Sequence, residues 1–336
     1  MAETTKPSIP HPQAAAARAV PALVLLFLLV GPAAVRGVTW HVDPAAASGG
    51  DGTAAAPFRV AAAGMAAAAA GDTVRLAAGT HTGTVPLTVY GAPRRALLDL
   101  VDGVTVRGAG RGATFLRALP ADTLTFGISG EAVGPGTSVA DLTVDGACFH
   151  AVNLRRAAPA LARLDLANDL VGASSVACDV RDASFPTLTD VAFAGGHTAL
   201  VVEFGSGGTF TDCRLDIRPH MGLICNDATP TFVRCDFAGA GRTVLMLTAG
   251  SAPVLRDCTL ADGGQWAVFV IGYAPGSTVD LSGNTWFSRD PAVLATRIRD
   301  AADDPALGAT VIVLPFADGE VGTETTRFGD LKARFR

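Results

Sequence analysis

The chain has 336 residues, 49% of them hydrophobic and only 17% charged, with a formal net charge of −5. That balance excludes a disordered chain, and the acidic excess excludes a general attraction for nucleic acid or other polyanions. Aromatic residues make up 6%, so there are few platforms on which a sugar or a base could stack.

Residues 1–37 read as an export signal. Lys6 and Arg18 precede an apolar run from Ala19 to Val30, and Val35-Arg36-Gly37 suits cleavage after Gly37. The run is too short for a comfortable membrane span. Cleavage would remove Lys6, Arg18, Arg36 and Glu3, leaving 23 basic and 30 acidic residues and a net charge of −7. The expected location is secreted, periplasmic or cell-surface, with no stable membrane span and no nucleic-acid partner.

Residues 38–71 form an N-terminal cap, in which Pro57 to Ala70 is an alanine-rich helix candidate. Gly49-Gly50-Asp51-Gly52 has the look of one calcium-binding repeat, but a single copy reads as a loop, and no metal or cofactor is predicted.

Residues 72–288 repeat. Val139-Ala-Asp-Leu142-Thr-Val144, Leu161-Ala-Arg-Leu164-Asp-Leu166 and Leu188-Thr-Asp-Val191-Ala-Phe193 align with Phe210-Thr-Asp-Cys213-Arg-Leu215, Phe232-Val-Arg-Cys235-Asp-Phe237 and Leu255-Arg-Asp-Cys258-Thr-Leu260. A degenerate copy ends at Trp286. The fourth positions step by 22, 27, 22, 22, 23 and 26 residues, and each copy follows a second apolar strand such as Leu200-Val-Val202 or Leu223-Ile-Cys225. Short strands with this period predict a right-handed parallel β-helix solenoid with a short N-terminal capping helix and a C-terminal helix/strand cap.

Alternation sends Cys213, Cys235 and Cys258 inward, where parallel stacking about 4.8 Å apart disfavours disulfides and predicts buried free thiols. The pairing of Cys148, Cys178 and Cys225 stays open. The column Asp141, Arg163, Asp190, Asp212, Arg234, Asp257 is read as outward-facing, its opposite charges meeting across coils as an ion-pair ladder. Val201, Ile224, Met246 and Phe269 form an outward apolar column that should be covered. Within the cap and tail at 289–336, where Asp290 and Pro291 start a helix expected to reach Ala302, residues 289–316 are the predicted cover.

The polar candidates for binding are His197, His220, Arg242 and Gln265, spaced 23, 22 and 23 at a coil corner, with Glu203, Asn226 and Asp227 on the same strands. Histidine, arginine and carboxylate in a stripe suit an oligosaccharide or acid–base chemistry; solvated turn residues are the competing reading.

Trp40-His-Val-Asp43-Pro44, Gly49-Gly-Asp-Gly52-Thr53, Gly71-Asp72-Thr73-Val74, Gly79-Thr80 and Val104-Thr-Val-Arg107-Gly108-Ala-Gly110 resemble the N-terminal module of secreted parallel β-helix proteins of the pectin-lyase-like superfamily. Asn284-Thr-Trp286, Asp290-Pro291 and Asp303-Asp304-Pro305 resemble a closing module of such proteins. The resemblance implies the fold and a polysaccharide partner, while its enzymatic templates fail on this chain. Lysine occurs only at Lys6 and Lys332, so no coil supplies a lysine base; Asp303-Asp304 lies in the tail; and Arg218-Pro219-His220-Met221 lacks the carboxylates of the epimerase motif. The expectation is a non-catalytic surface or glycan-binding scaffold, the alternative a polysaccharide lyase, hydrolase or epimerase with an unrecognised site.

Overall fold

The computed structural model describes residues 37–119, 124–170, 175–216, 220–239 and 241–317. The expected export signal up to Arg36, the tail beyond Ala317 and the Arg218-Pro219 pair lie outside them. The described chain is a parallel β-helix. A first sheet stacks 15 strands and a second stacks 10, and the hairpin Val85–Val89/Ala92–Asp99 is antiparallel.

The repeat builds the core as the alternation predicts. Val144, Leu166, Phe193, Leu215, Phe237, Leu260 and Trp286 are register partners along the first sheet, and all are buried. Ile128, Val152, Cys178, Leu200, Leu223, Leu245, Val268 and Ile298 do the same along the second. Each such side chain taken out of water contributes about 2 kcal/mol, so the stack of columns is the main stabilising element.

The charged column differs from its reading as an ordinary outward strand position. Asp141, Arg163, Asp190, Asp212, Arg234 and Asp257 all have φ between 51° and 64°. They are left-handed corners at which the first sheet bends, separating for example Thr209–Thr211 from Arg214–Asp216. Aspartate is among the few residues with a short polar side chain that tolerates this conformation, which explains its recurrence at four of these six corners. The ion pairs nevertheless form. Arg234 grips Asp212 with two hydrogen bonds of 2.7 and 2.8 Å, Arg163 and Arg107 both reach Asp141, and Arg214 meets Asp236. A second left-handed row follows the second sheet: Ala132, Arg156, Asp182, Phe204, Asp227 and Ala249.

All six cysteines are buried and unbridged. Cys235 Sγ lies 3.3 Å from the Phe210 carbonyl oxygen, and the Cys235 amide donates to Cys258 Sγ at 3.4 Å. Burial pushes the Cys148 and Cys225 thiols up to about 12. Thiolates are the reactive form, so a thiol reagent at pH 8 should label none of the six in the folded protein and all six after denaturation without reduction. Mass spectrometry of the labelled chain checks this, and any pair that needs reduction first contradicts the stacked-thiol arrangement.

The ends are shorter than predicted. The front helix runs Ala61–Ala67, not 57–70, because Val60 offers no side-chain cap and Phe58 is held in an extended bridge to Val42. A Cβ at Gly64 would come within 2.7 Å of a Val42 methyl, so glycine sets how closely this helix packs on the first strands. At the back, Asp290 caps Pro291–Ala295 by accepting from the Ala292 amide, but the helix stops there rather than at Ala302. The chain then adds Ile298–Arg299 to the second sheet beside Val268 and Phe269. Leu294, Ile298, Val311 and Val313 are fully buried in the same core cluster as the coils. The tail thus extends the stack instead of folding over the apolar column, and Ile224, Met246 and Phe269 remain half-buried on the outer face.

Candidate functional site

The seven residues singled out in the sequence fall into two rows at opposite ends of the second-sheet strands. His197, His220, Arg242 and Gln265 precede Thr198–Glu203, Met221–Asn226, Thr243–Thr248 and Trp266–Ile271. Glu203 and Asn226 end the first two strands, and Asp227 follows. Five or six residues of extended chain separate the rows by roughly 20 Å, so they do not form one site.

In the first row the His197 and His220 rings stack at 4.5 Å, and Arg242 Nε donates to Gln265 Oε1 at 2.7 Å. Partial burial, aided by the facing His220, holds His197 below the ordinary histidine value. In the second row Asn226 Oδ1 accepts from the Thr248 hydroxyl at 2.9 Å, and Asp227 occupies a left-handed corner with φ 50°. Those two are accounted for by the neighbouring threonine and by the corner itself. Glu203 is not, because it joins a larger array.

That array lies on the earlier coils, where the outward column of the second sheet is polar. Asp99, Ser129, Asn153 and Asp179 are register partners, and the last three are at most 3% exposed. The antiparallel hairpin packs on residues beside them. It packs Val85, Leu87 and Val89 with Phe126 and Phe149, and its tip residue Tyr90 donates a 2.6 Å hydrogen bond to Asp182, just beyond Val176–Arg181. To reach that far along the stack, the hairpin bends over the outer face.

Two linked ionic groups sit beneath and beside it. Arg155 Nε contacts Asp182 at 3.0 Å and its Nη1 contacts Glu131 at 3.4 Å, while its guanidinium lies 3.7 Å from the Tyr90 ring centre. On the neighbouring strand Arg181, the register partner of Arg155, holds Asp179 at 2.8 Å and Glu203 at 3.5 Å. Asp179 Oδ2 also stands 3.0 Å from His150 Nδ1, close but not aligned as a hydrogen bond. His150 stacks on Phe149 at 4.4 Å. Two aromatic rings frame the array at the surface: Tyr90 is 61% exposed, and Phe204, with Arg181 5.9 Å from its centre, is 50% exposed.

The protonation states follow from these surroundings. Burial works to raise Asp182, but the hydrogen bonds from Tyr90 and Arg155 prevail and hold it below the usual carboxylate value. Glu203 is raised, first by burial and then by Asp179, against the opposing pull of Arg181. Asp99 is raised by burial and by Glu131. The site therefore offers permanently charged guanidinium groups, paired carboxylates and two carboxyls, Glu203 and Asp99, that take up a proton above the ordinary range. Among the described residues no group of three or more His, Cys, Asp or Glu side chains is placed to hold a metal ion.

Sequence reasoning missed this array because nothing local to Asp179 and Arg181 says that the distant hairpin reaches the same coil. The one available signal was the row Glu131, Arg155, Arg181, Glu203 at equivalent strand positions.

No family model and no curated protein matches this chain. Among solved structures it is similar to a tailspike protein, a capsular polysaccharide depolymerase, of Acinetobacter baumannii bacteriophage Fri1, with 12% identity over 76% of this chain and 57% of the other and a TM-score of 0.47. Similar too are the pectate lyase Pel9A (13%; 74% and 69%; 0.43) and the pectin methylesterase PemA of Erwinia chrysanthemi (14%; 88% and 94%; 0.43).

Proposed function

We propose that this is an exported, glycan-binding β-helix protein whose binding surface is the arginine–carboxylate array framed by Tyr90 and Phe204. The observation that carries the reading is two exposed aromatic rings, each set against an arginine, on a rigid stack of coils. Aromatic faces take the apolar side of a sugar ring, and the arginines and carboxylates supply directed hydrogen bonds to hydroxyl groups. A site built on stacked strands holds these groups in place before a ligand arrives. No helix of the described residues is long and apolar enough to cross a membrane. Asp179, Asp182 and Glu131 are each engaged by arginine, which favours holding a ligand over abstracting a proton.

The test is a glycan array followed by calorimetry on the best ligand. Tyr90→Ala and Phe204→Ala should each weaken binding at least tenfold, about 1.4 kcal/mol. Unchanged affinity in both would remove this surface as the binding site. The raised Glu203 favours a second reading, an acid–base enzyme. On that reading the bound glycan is cleaved or rearranged over time, and Glu203→Gln abolishes turnover while retaining affinity.

A further inference from the structure

A cavity on the N-terminal coils shares no residue with that array. It has a volume of about 260 Å³ and is lined by His41, Asp43, Arg75, Ala54, Pro57 and Gly108 among others. A water molecule takes about 30 Å³ of liquid, so the space suits a ligand of roughly nine non-hydrogen atoms.

The walls are built. His41 and Arg75 are register partners on adjacent strands, so both point from the same face. The loop from Asp43 to Pro57 closes beside them, pinned by the His41 amide to Gly52 O and the Asp43 amide to Phe58 O, both at 2.8 Å. Its glycines are required by that closure: a Cβ at Gly50 would come within 2.1 Å of the Pro57 carbonyl oxygen, and Gly52 has φ +82° with the Phe58 ring against it. Asp51 stays inside the loop, accepting from the Thr53 amide and hydroxyl. The glycine run thus shapes a wall rather than a calcium site.

The charges define the ligand. Arg107, next to Arg75 in the same row, is paired with Asp141 at 3.0 Å, a carboxylate that Arg163 also reaches. Arg75 has no such carboxylate among the described contacts, and the Asp43 carboxylate that shares the cavity accepts from the Ala45 amide through Oδ1. A guanidinium without a counter-ion in a concave site is matched by a carboxylate, and a neighbouring aspartate by a hydroxyl donor.

We infer that this cavity binds a small hydroxycarboxylate, its carboxylate on Arg75 and a hydroxyl on Asp43. The imidazole of His41 lines the same wall and offers a further polar contact. Ala54, at the exposed lip, sets the entrance.

Calorimetry with L-threonate, L-threitol and inorganic phosphate tests this on the full chain. Threonate should bind, threitol, its neutral counterpart, should not, and phosphate should bind more weakly than threonate. Arg75→Met should lower threonate affinity at least tenfold, and Ala54→Phe, which fills the entrance from an exposed loop position, should do the same. Both variants should keep the wild-type melting temperature and glycan affinity. Threitol binding as tightly as threonate, phosphate binding more tightly, or threonate affinity unchanged in both folded variants would each overturn the assignment.

Discussion

Phe232→Ala is expected to destabilise the protein by about 4 kcal/mol, read as a lowered urea midpoint. Phe232 is completely buried, stacks on Phe210 at 4.7 Å and meets Phe237 edge-on at 5.3 Å. Truncating it removes the transfer energy of the ring and leaves a void that parallel strands about 4.8 Å apart cannot close. The location of the damage is as informative as its size. In a solenoid each coil contacts only its neighbours, so stability is close to a sum of coil and interface terms. Hydrogen exchange should therefore quicken first in Thr231–Val233, Thr209–Thr211 and Val254–Arg256, while Ala160–Asn168 retains its protection. Uniform loss of protection across the whole stack would show that the coils unfold as one unit.

The columns that make such a prediction possible were legible in the sequence because each coil repeats the same inward pair within a 22-to-27-residue period. Phe193, Leu215 and Phe237 are register partners where the alignment puts them. The corners were only half legible. Aspartate at Asp141, Asp190, Asp212 and Asp257 is visible as a charge, but the alternation assumed an unbroken strand and hid the left-handed backbone that selects it. The tail failed for a related reason. Its apolar residues matched an uncovered face in composition, yet Ile298 and Val311 bury themselves more fully by continuing the core than by lying over a surface. The candidate site was the least legible part. His197 and Glu203 belong to strand ends far apart, while the array around Arg155 and Arg181 depends on Tyr90, which is separated from Asp182 by 92 residues.

Within that array Asp179→Ala should be the most disruptive single change, costing about 3 kcal/mol of stability. Asp179 is 1% exposed and is held between Arg181 and the buried His150. Removing it leaves a guanidinium whose next carboxylate, Glu203, is 3.5 Å away, and an imidazole with no charged partner. The loss comes mainly from Arg181, because a largely buried guanidinium that keeps only the longer contact to Glu203 recovers less of the hydration it has given up. A second variant separates stability from purpose. Replacing all three groups together, as His150→Phe, Asp179→Val and Arg181→Met, exchanges the buried ions for apolar side chains of similar size and should recover most of the lost stability. Denaturant titration of the single and triple variants measures the difference. Glycan affinity should not recover with it, since the arginine that backs Phe204 and holds Glu203 is gone. Recovery of both would mean that the ions serve the fold alone, and that the sugar-facing surface lies elsewhere on the stack.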